Sequence, residues 1–196
     1  KLDRGGRVDG KYLDDNGRKE IKAAGIKAEL DLREKEDVPS SSPIGNDIDF
    51  CAPGFPGGYR SMMRDYKAGI KQCFTFLAEC LRNDKPVLIH CAAGRDRTGT
   101  MAILTLGLLG VSEGDISKDY ELTYFSPRDW SMWVEQDPDN YLHTRTQEGS
   151  FVAACKYLWD FGGATFAESV EKYLLSIGVT AKDIEDIRTA MLVKSK

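Results

Sequence analysis

The chain has 196 residues, of which 41% are hydrophobic and 30% charged, and its formal net charge is -4. These values are typical of a soluble globular protein, so we expect one domain over residues 1–196. The small negative charge gives no bulk attraction for nucleic acid, and an anion would have to be recognised by a local site. The sequence has no run of 18 apolar residues, so we expect no integral membrane segment.

The cysteines do not follow a metal-binding or disulfide pattern. Their number is odd, no two are spaced as Cys-x-x-Cys, and the sequence has only two histidines. We therefore expect no zinc site, no disulfide framework and no cofactor. An odd number of thiols favours a reducing compartment, but the chain starts at Lys1, so it is compatible with a cytoplasmic protein or with one exported after removal of a leader. The cysteines are Cys51, Cys73, Cys80, Cys91 and Cys155.

The first half of the chain alternates short strands with helices. An amphipathic pattern over residues 15–24, closed by Gly25, predicts a helix, and alternating apolar residues over 26–33 predict a strand. Ile48 and Phe50 indicate a second short strand. Proline and glycine make residues 52–59 irregular. Apolar residues at helical spacing then predict one long helix over residues 59–81.

The second half is predominantly helical. The apolar run at residues 86–89 is typical of a central parallel strand, and the apolar residues 98–109 before Gly110 predict a buried helix. Three later capping patterns each predict a further helix; they start at Ser112, Thr165 and Thr180. We expect an α/β fold with a small, mostly parallel central sheet flanked by helices and a helical C-terminal half.

A long irregular insertion covers residues 126–145 of that half. It contains Trp130, Trp133 and Tyr141, which could form a lid over a site or stack on an aromatic substrate. Aromatic side chains at this density more often pack into a local core, which is the interpretation we favour.

Two glycine motifs are candidates for phosphate binding. In the first, Gly5-x-x-x-x-Gly10-Lys11, the next residue is Tyr12 rather than the Ser or Thr that would bind magnesium, and no strand is predicted before it. We interpret this motif as a glycine-rich turn.

The second motif, HCAAGRDRTG, covers His90 to Gly99 and has the context that the first one lacks. A cysteine at the end of a buried strand is followed five residues later by an arginine at the start of a helix. The loop amides and the helix N-terminus can surround one anion, and Gly94 permits a close approach of the backbone. The guanidinium of Arg97 can bind two phosphate oxygens at once. This predicts a phosphate cradle formed by Ala92, Ala93, Gly94, Arg95, Asp96 and Arg97.

The same donors stabilise a thiolate, so we expect Cys91 to be ionised and nucleophilic at neutral pH. A buried cysteine and a helix-start arginine also occur without any function. Here the preceding His90, the loop glycine, the following Thr98 and the flanking strand and helix favour a functional site.

HCAAGRDRTG resembles the signature HCxxGxxR(S/T) of the cysteine-dependent phosphatases, and its aspartate is similar to the bacterial protein tyrosine/serine phosphatase family, a lipid-phosphatase-like branch. Weaker similarities, in GIKAELDLR from Gly25 and in segments that start at Tyr120 and Tyr173, extend the resemblance over most of the chain.

The resemblance implies a cysteine-dependent phosphatase fold and metal-independent hydrolysis of a phosphomonoester through a phosphocysteine on Cys91. Arg97 and the loop amides would stabilise the charge of the transition state. Thr98 would donate its hydroxyl to the sulfur, and His90 would order the loop or serve only as a structural residue.

The general acid is not obvious, because many relatives carry an aspartate in a loop that corresponds to residues 52–59 here, and this segment has no Asp or Glu. The related bacterial family uses an aspartate inside the phosphate loop, which makes Asp96 the first candidate. Asp96 could instead be a solvated carboxylate, and Asp47 and Asp49 are alternatives.

Two further expectations concern Arg95 and Cys51. Arg95 stands where lipid-directed phosphatases often carry lysine, so it could be a second cation at the rim of the site or a plain surface arginine. Cys51 and Cys91 both follow strands and could form a protective disulfide.

The sequence thus predicts a protein tyrosine phosphatase, with dual specificity as an extension, that acts on a phosphorylated protein. A phosphoinositide or inositol phosphate phosphatase is the alternative within the same chemistry. A rhodanese-type sulfurtransferase and an inactive phosphate-binding module are less favoured, because Cys91, Arg97 and Thr98 are all present. The sequence has no signal for an oligomeric state.

Overall fold

A four-stranded parallel sheet organises the protein. The computed structural model describes residues 1–125 and 150–192, and the strands are β1 (Leu2–Gly5), β2 (Ala28–Asp31), β3 (Asp49–Cys51) and β4 (Val87–His90). Their spatial order is β1-β4-β2-β3. In register, Ala28 lies opposite Val87 and Asp31 opposite His90. All four strands therefore end at the same edge of the sheet, the edge at which parallel α/β sheets bind their ligands.

The helices that the structure describes have the following bounds: α1 (Asp15–Ala23), α2 (Tyr59–Asp65), α3 (Lys67–Arg82), α4 (Asp96–Leu108), α5 (Glu113–Glu121), α6 (Phe151–Trp159), α7 (Phe166–Ser176) and α8 (Ala181–Met191). Short 3-10 turns cover Gly10–Tyr12 and Leu122–Phe125. None of the helices in the described ranges is long and apolar enough to cross a bilayer.

The two faces of the sheet are covered by different elements. Leu88 packs with Leu13, Ile26 and Ile44 on the face of α1, whereas Val87 and Ile89 belong to the larger core formed with the other helices. Side chains alternate between the faces of a strand, so His90 points to the side of Leu88. The predicted strand covered on both faces is confirmed, since Val87, Leu88 and Ile89 are all buried.

The capping patterns are confirmed at three helices. Side-chain oxygens of Ser112, Thr165 and Thr180 accept hydrogen bonds from the backbone N–H three residues later. Gly110 ends the buried helix α4 with a φ of 81°. Local sequence thus defines these boundaries, because a capping hydroxyl and a left-handed glycine each satisfy backbone groups that a helix leaves open.

Two expectations about the elements are wrong. The predicted helix over residues 59–81 consists of two helices, because Tyr66 between them leaves the helical conformation with φ -118° and ψ 40°. The expectation that no strand precedes Gly10 also fails, since β1 covers Leu2–Gly5 and pairs with β4. Its four residues, with two charged side chains, lack a recognisable strand pattern. The first glycine motif still lacks the hydroxyl after Lys11, and its last two residues, Gly10 and Lys11, lie in a 3-10 turn instead of at the start of a long helix.

Candidate active site

The loop that follows the central strand β4 joins the sheet to the N-terminus of α4. Cys91 comes directly after His90 and is only 2% exposed, and α4 begins at Asp96. The buried strand therefore delivers the thiol to the carboxyl edge of the sheet, where the positive end of a helix faces it. An anion at this point would meet the cysteine, the loop amides and the helix N-terminus together.

Several loop amides are available to an anion. Among the residues that the structure describes, the backbone N–H groups of Ala92, Ala93, Gly94 and Arg97 donate to no acceptor. Such groups are rarely left without an acceptor in a folded protein, and several of them in succession form an anion-binding concavity.

The end of β1 supports the loop from behind. Gly94 has φ 71°, and a Cβ there would lie 2.6 Å from the carbonyl oxygen of Gly5. Arg7 N donates to Ala92 O at 3.2 Å, which anchors the loop at a second point. Position 94 thus requires glycine for two reasons: its backbone is left-handed, and a side chain would collide with the backbone of β1.

Arg97 is held beside the cradle by the irregular segment of residues 52–58. Its Nη1 donates to the carbonyl oxygen of Phe55 at 2.9 Å and lies 3.9 Å from Glu34 Oε1. A Cβ on Gly58 would lie 2.7 Å from the carbonyl carbon of Asp96. This segment therefore lies against the phosphate loop, as expected for the loop that carries the acid in many relatives, but here it contributes a backbone carbonyl.

Asp96 is bound by two neighbours. The hydroxyl of Tyr59 donates to Asp96 Oδ1 at 2.7 Å, and Arg95 Nε and Nη2 contact the same oxygen at 3.2 Å. Tyr59 also hydrogen-bonds Tyr120, and burial and these neighbours raise the pKa of Tyr59 far above its ordinary value, so its hydroxyl keeps its proton. These contacts fix the orientation of the Asp96 carboxyl group at the mouth of the loop.

Tyr59 adopts an unfavourable backbone conformation. Its φ is 59°, in the left-handed region that a tyrosine rarely occupies, while its N–H donates to Thr100 Oγ1 at 2.6 Å. Backbone strain of this kind persists where surrounding contacts enforce it, and it is concentrated at functional sites.

His90 lies in a buried polar cluster under the loop. Its Nε2 is 2.8 Å from Glu29 Oε1, its Nδ1 is 3.4 Å from the carbonyl oxygen of Cys91, and Ser42 donates to the second oxygen of Glu29. Asp31 completes a set of three potential metal ligands with Glu29 and His90. Both carboxylates already accept hydrogen bonds from protein donors, so the cluster supports the loop through hydrogen bonds.

A chain of buried charges extends this support. Arg33 is fully buried, and its guanidinium donates to Asp31 at 2.6 to 3.0 Å and to Asp9 at 2.8 Å. Burial opposes the charge of Arg33, but the bonds to the two aspartates outweigh it and raise its pKa. Burial likewise opposes ionisation of Asp9, yet the hydrogen bonds from Arg7 and Arg33 lower its pKa. Both groups therefore remain charged around neutral pH.

Known proteins resemble this chain. A model of the tyrosine phosphatase family matches residues 2–193. The chain belongs to the tyrosine phosphatase family. It is 27% identical to a tyrosine-protein phosphatase of Nostoc commune over 217 aligned positions, which cover 91% of this chain and 70% of that protein. It is also 38% identical over 56 residues to a putative tyrosine-protein phosphatase of Cupriavidus necator, covering 29% of this chain and 20% of that protein.

The structure shows the surroundings of each predicted site residue of this tyrosine phosphatase. Cys91 begins the loop after β4, and Asp96 and Arg97 are the first two residues of α4 at the other end of that loop. Arg95 is only 3% exposed and contacts Asp96, so the expectation of a rim cation or plain surface arginine is wrong. The buried hydroxyl of Thr98 has no hydrogen-bond partner in the structure, and no bond to the Cys91 sulfur is formed.

The alternative acids lie at the opposite end of the sheet. Asp49 begins β3 and pairs with Lys85, while Asp47 pairs with Lys22, and all four side chains are at least 40% exposed. Because Asp49 is level with Ala28 at the start of β2, it is separated from the phosphate loop by the length of the strands. The position of the two aspartates disfavours their use as the acid of this phosphatase.

The expected disulfide between Cys51 and Cys91 is incompatible with the sheet. Cys51 is on β3, Cys91 follows β4, and β2 lies between them. Two strand spacings amount to about 10 Å, whereas bridged Cα atoms lie within about 7 Å. Burial raises the pKa of Cys51 to about 11 and that of Cys155 to about 12, so these thiols are poor nucleophiles at neutral pH.

Sequence reasoning missed the residues that support the loop, chiefly Tyr59, Glu29 and Arg33. A charged residue in the middle of an apolar strand pattern was the available signal for Glu29, and the Pro-Gly-Gly before Tyr59 indicated an unusual backbone. The insertion with Trp130, Trp133 and Tyr141 lies outside the described residues, as does His143.

Proposed function

We propose that this tyrosine phosphatase hydrolyses phosphotyrosine in proteins, with Cys91 as nucleophile, Arg97 as phosphate ligand and Asp96 as general acid. The observation that carries the proposal is the loop from Cys91 to Arg97. It combines a thiol that precedes a helix N-terminus with a guanidinium and with backbone N–H groups that have no acceptor among the described residues.

In the first step the Cys91 thiolate attacks phosphorus and the ester P–O bond breaks. Asp96 gives its proton to the leaving phenolic oxygen, and the thiolate becomes a phosphocysteine. Arg97 and the amides of residues 92–97 bind the equatorial oxygens, on which charge accumulates in the transition state.

In the second step water attacks the phosphocysteine. Asp96, now ionised, accepts a proton from the water, the S–P bond breaks, and Cys91 leaves as a thiolate while inorganic phosphate is released. The contacts of Tyr59 and Arg95 with Asp96 would hold the carboxyl group in place in both steps.

Burial of the thiol supports phosphotyrosine as the substrate. Cys91 is 2% exposed, and a recessed sulfur favours a phosphate carried on the long stem of phosphotyrosine over one on the shorter stem of phosphoserine or phosphothreonine. Arg95 is buried and does not provide a rim cation for a phosphoinositide.

The test is hydrolysis of a phosphotyrosine peptide with a chelator present, compared with matched phosphoserine and phosphothreonine peptides and with phosphatidylinositol phosphates in vesicles. We expect the tyrosine peptide to be the best substrate and Cys91→Ser to abolish turnover. Activity that survives in Cys91→Ser would contradict the mechanism, and faster turnover of the phosphoinositide would favour a lipid substrate.

A further inference from the structure

His90 and Glu29 form a fully buried pair beneath the phosphate loop, to which the proposed mechanism gives no role. His90 ends β4, Glu29 is the second residue of β2, and neither side chain is exposed to solvent. Nε2 of His90 lies 2.8 Å from Oε1 of Glu29. The contribution of the pair depends on which nitrogens of the ring carry hydrogen, because a neutral imidazole has one donor and one acceptor nitrogen.

Both ring nitrogens of His90 face oxygen atoms that accept hydrogen bonds. On the side of Nε2, the Glu29 carboxylate also accepts a hydrogen bond from the hydroxyl of Ser42. On the side of Nδ1, the carbonyl oxygen of Cys91 lies at 3.4 Å and Asp31 Oδ1 at 4.0 Å. A neutral ring would turn a lone pair toward one of these oxygens, whichever tautomer it adopts. The contacts therefore favour a hydrogen on both nitrogens.

The charges around the pair support the same assignment. The other charged groups of the cluster are paired as follows: Arg33 with Asp31 and Asp9, and Arg7 with Asp9. Glu29, in contrast, has no lysine or arginine partner in the part of the chain that the structure describes, and it contacts His90. A buried carboxylate without a cation is costly, and an imidazolium at His90 provides that cation.

A hydrogen on Nδ1 would orient the first peptide group of the phosphate loop. The peptide between Cys91 and Ala92 is planar and trans, so its N–H points opposite to its carbonyl. The carbonyl faces His90, and the N–H of Ala92 is one of the loop amides that donate to no acceptor among the described residues. A donor at Nδ1 that holds the Cys91 carbonyl therefore also fixes the direction of the Ala92 amide.

We propose that Glu29 is a positioning residue of the phosphate loop: its carboxylate keeps a hydrogen on both nitrogens of His90, so that Nδ1 donates to the Cys91 carbonyl and fixes the Ala92 amide for phosphate binding. Glu29 acts through His90 and does not touch the substrate. The proposal rests on the proposed function, because it assigns the loop amides to the phosphate group.

NMR of the imidazole nitrogens tests the hydrogen positions directly. The untagged, ¹⁵N-labelled protein contains two histidines, and His143→Gln removes the second set of signals, which assigns His90. At pH 8 a histidine with the ordinary pKa of about 6.5 is mostly neutral, but we expect both His90 nitrogens to show the chemical shift of a nitrogen bound to hydrogen. In Glu29→Gln one of them should show the shift of a bare nitrogen. Ser42→Ala keeps the charge of Glu29 and should keep both hydrogens.

Binding of inorganic phosphate tests the consequence for the loop. Glu29→Gln should raise the Kd of phosphate about fivefold, which corresponds to one poorly oriented hydrogen-bond donor. The Kd is measured from the backbone amide signals of the loop during a phosphate titration, with a chelator present so that no metal ion contributes.

A wild-type His90 with one bare nitrogen at pH 8 would overturn the proposal, even if no variant folded. Two bound hydrogens in Glu29→Gln would overturn it as well, because the ring would then not depend on the carboxylate. An unchanged Kd in a Glu29→Gln protein that has lost the hydrogen would exclude a role of Glu29 in positioning the loop. None of these measurements uses turnover, so this proposal and the proposed function can fail separately.

Discussion

The two ends of the parallel sheet both carry charged side chains, but in different environments. At the carboxyl end fully buried Asp31 is bonded to Arg33, and fully buried His90 is bonded to the side chain of Glu29, the second residue of β2. At the amino end both side chains of the Lys85–Asp49 ion pair are at least 40% exposed, as are those of the ion pairs that Lys22 and Lys1 form. Buried charges cost several kcal/mol each unless they are well paired, whereas exposed pairs contribute little. The comparison indicates that the costly charges are retained where they support the phosphate loop.

The largest difference between the two ends is expected from exchanging arginine and lysine. Arg97→Lys keeps the positive charge but loses the planar fork, and we expect kcat/KM to fall about 10⁴-fold. The reverse exchange at the amino end, Lys85→Arg, should leave activity unchanged. Steady-state kinetics with p-nitrophenyl phosphate measures both. Comparable losses would mean that the loop has no special role.

A second pair of variants compares aspartates. Asp96→Asn removes the proposed acid, and kcat/KM for phenyl phosphate, which has a poor leaving group, should fall about 10³-fold, less for p-nitrophenyl phosphate. Asp49→Asn, at the amino end, should have no effect on either substrate. Full activity of Asp96→Asn with both substrates would show that the acid lies elsewhere.

The free energy of unfolding should depend more on the buried charges at the carboxyl end of the sheet than on the exposed ion pairs at its amino end. Arg33→Met leaves Asp31 buried without its main partner, so the free energy of unfolding should fall by about 3 to 5 kcal/mol. Lys85→Met removes an exposed partner and should leave the urea midpoint unchanged. Urea denaturation at pH 7 provides both values. A similar small effect for the two variants would contradict the supporting role of the buried charges.

Cys80, a buried thiol near Asp49 at the amino end of the sheet, should make the free energy of unfolding depend on pH. Burial raises the pKa of Cys80 to about 12, with nearby Asp49 adding to the effect, so the folded protein keeps this proton while the unfolded chain loses it near pH 9. The stabilising contribution is complete below pH 9 and is lost as pH rises toward 12. By pH 11 the loss is about 3 kcal/mol for this thiol.

Cys80→Ala should therefore lose less stability between pH 8 and pH 11 than the wild-type protein. Urea denaturation at the two pH values, with reductant present, tests this. Equal losses would mean that Cys80 titrates alike in both states.

The smallest expected effect concerns Tyr59. Tyr59→Phe removes the hydrogen bond to Asp96 and should lower kcat/KM about fivefold. The loss should appear in kcat rather than in KM, because this bond orients the proposed acid and does not touch the substrate. A loss confined to KM would contradict an effect through Asp96.

The sequence was sufficient to predict the phosphate loop, since Cys91 and Arg97 are close along the chain and their strand and helix have clear patterns. The caps at Ser112, Thr165 and Thr180 are local for the same reason. The support of the loop is not local: Gly5, Glu29, Arg33 and Tyr59 reach it only through the order of the strands. Burial of Arg95 and the break at Tyr66 likewise depend on tertiary packing.

The central claim is that Cys91 forms a covalent phosphocysteine within the loop. Rapid acid quenching of the enzyme during turnover of p-nitrophenyl phosphate, followed by mass spectrometry of its peptides, tests this most directly. We predict one phosphoryl group on the peptide that contains Cys91, and none in Cys91→Ser. A phosphoryl group on another residue, or turnover with no phosphorylated peptide in any quenched sample, would contradict the account.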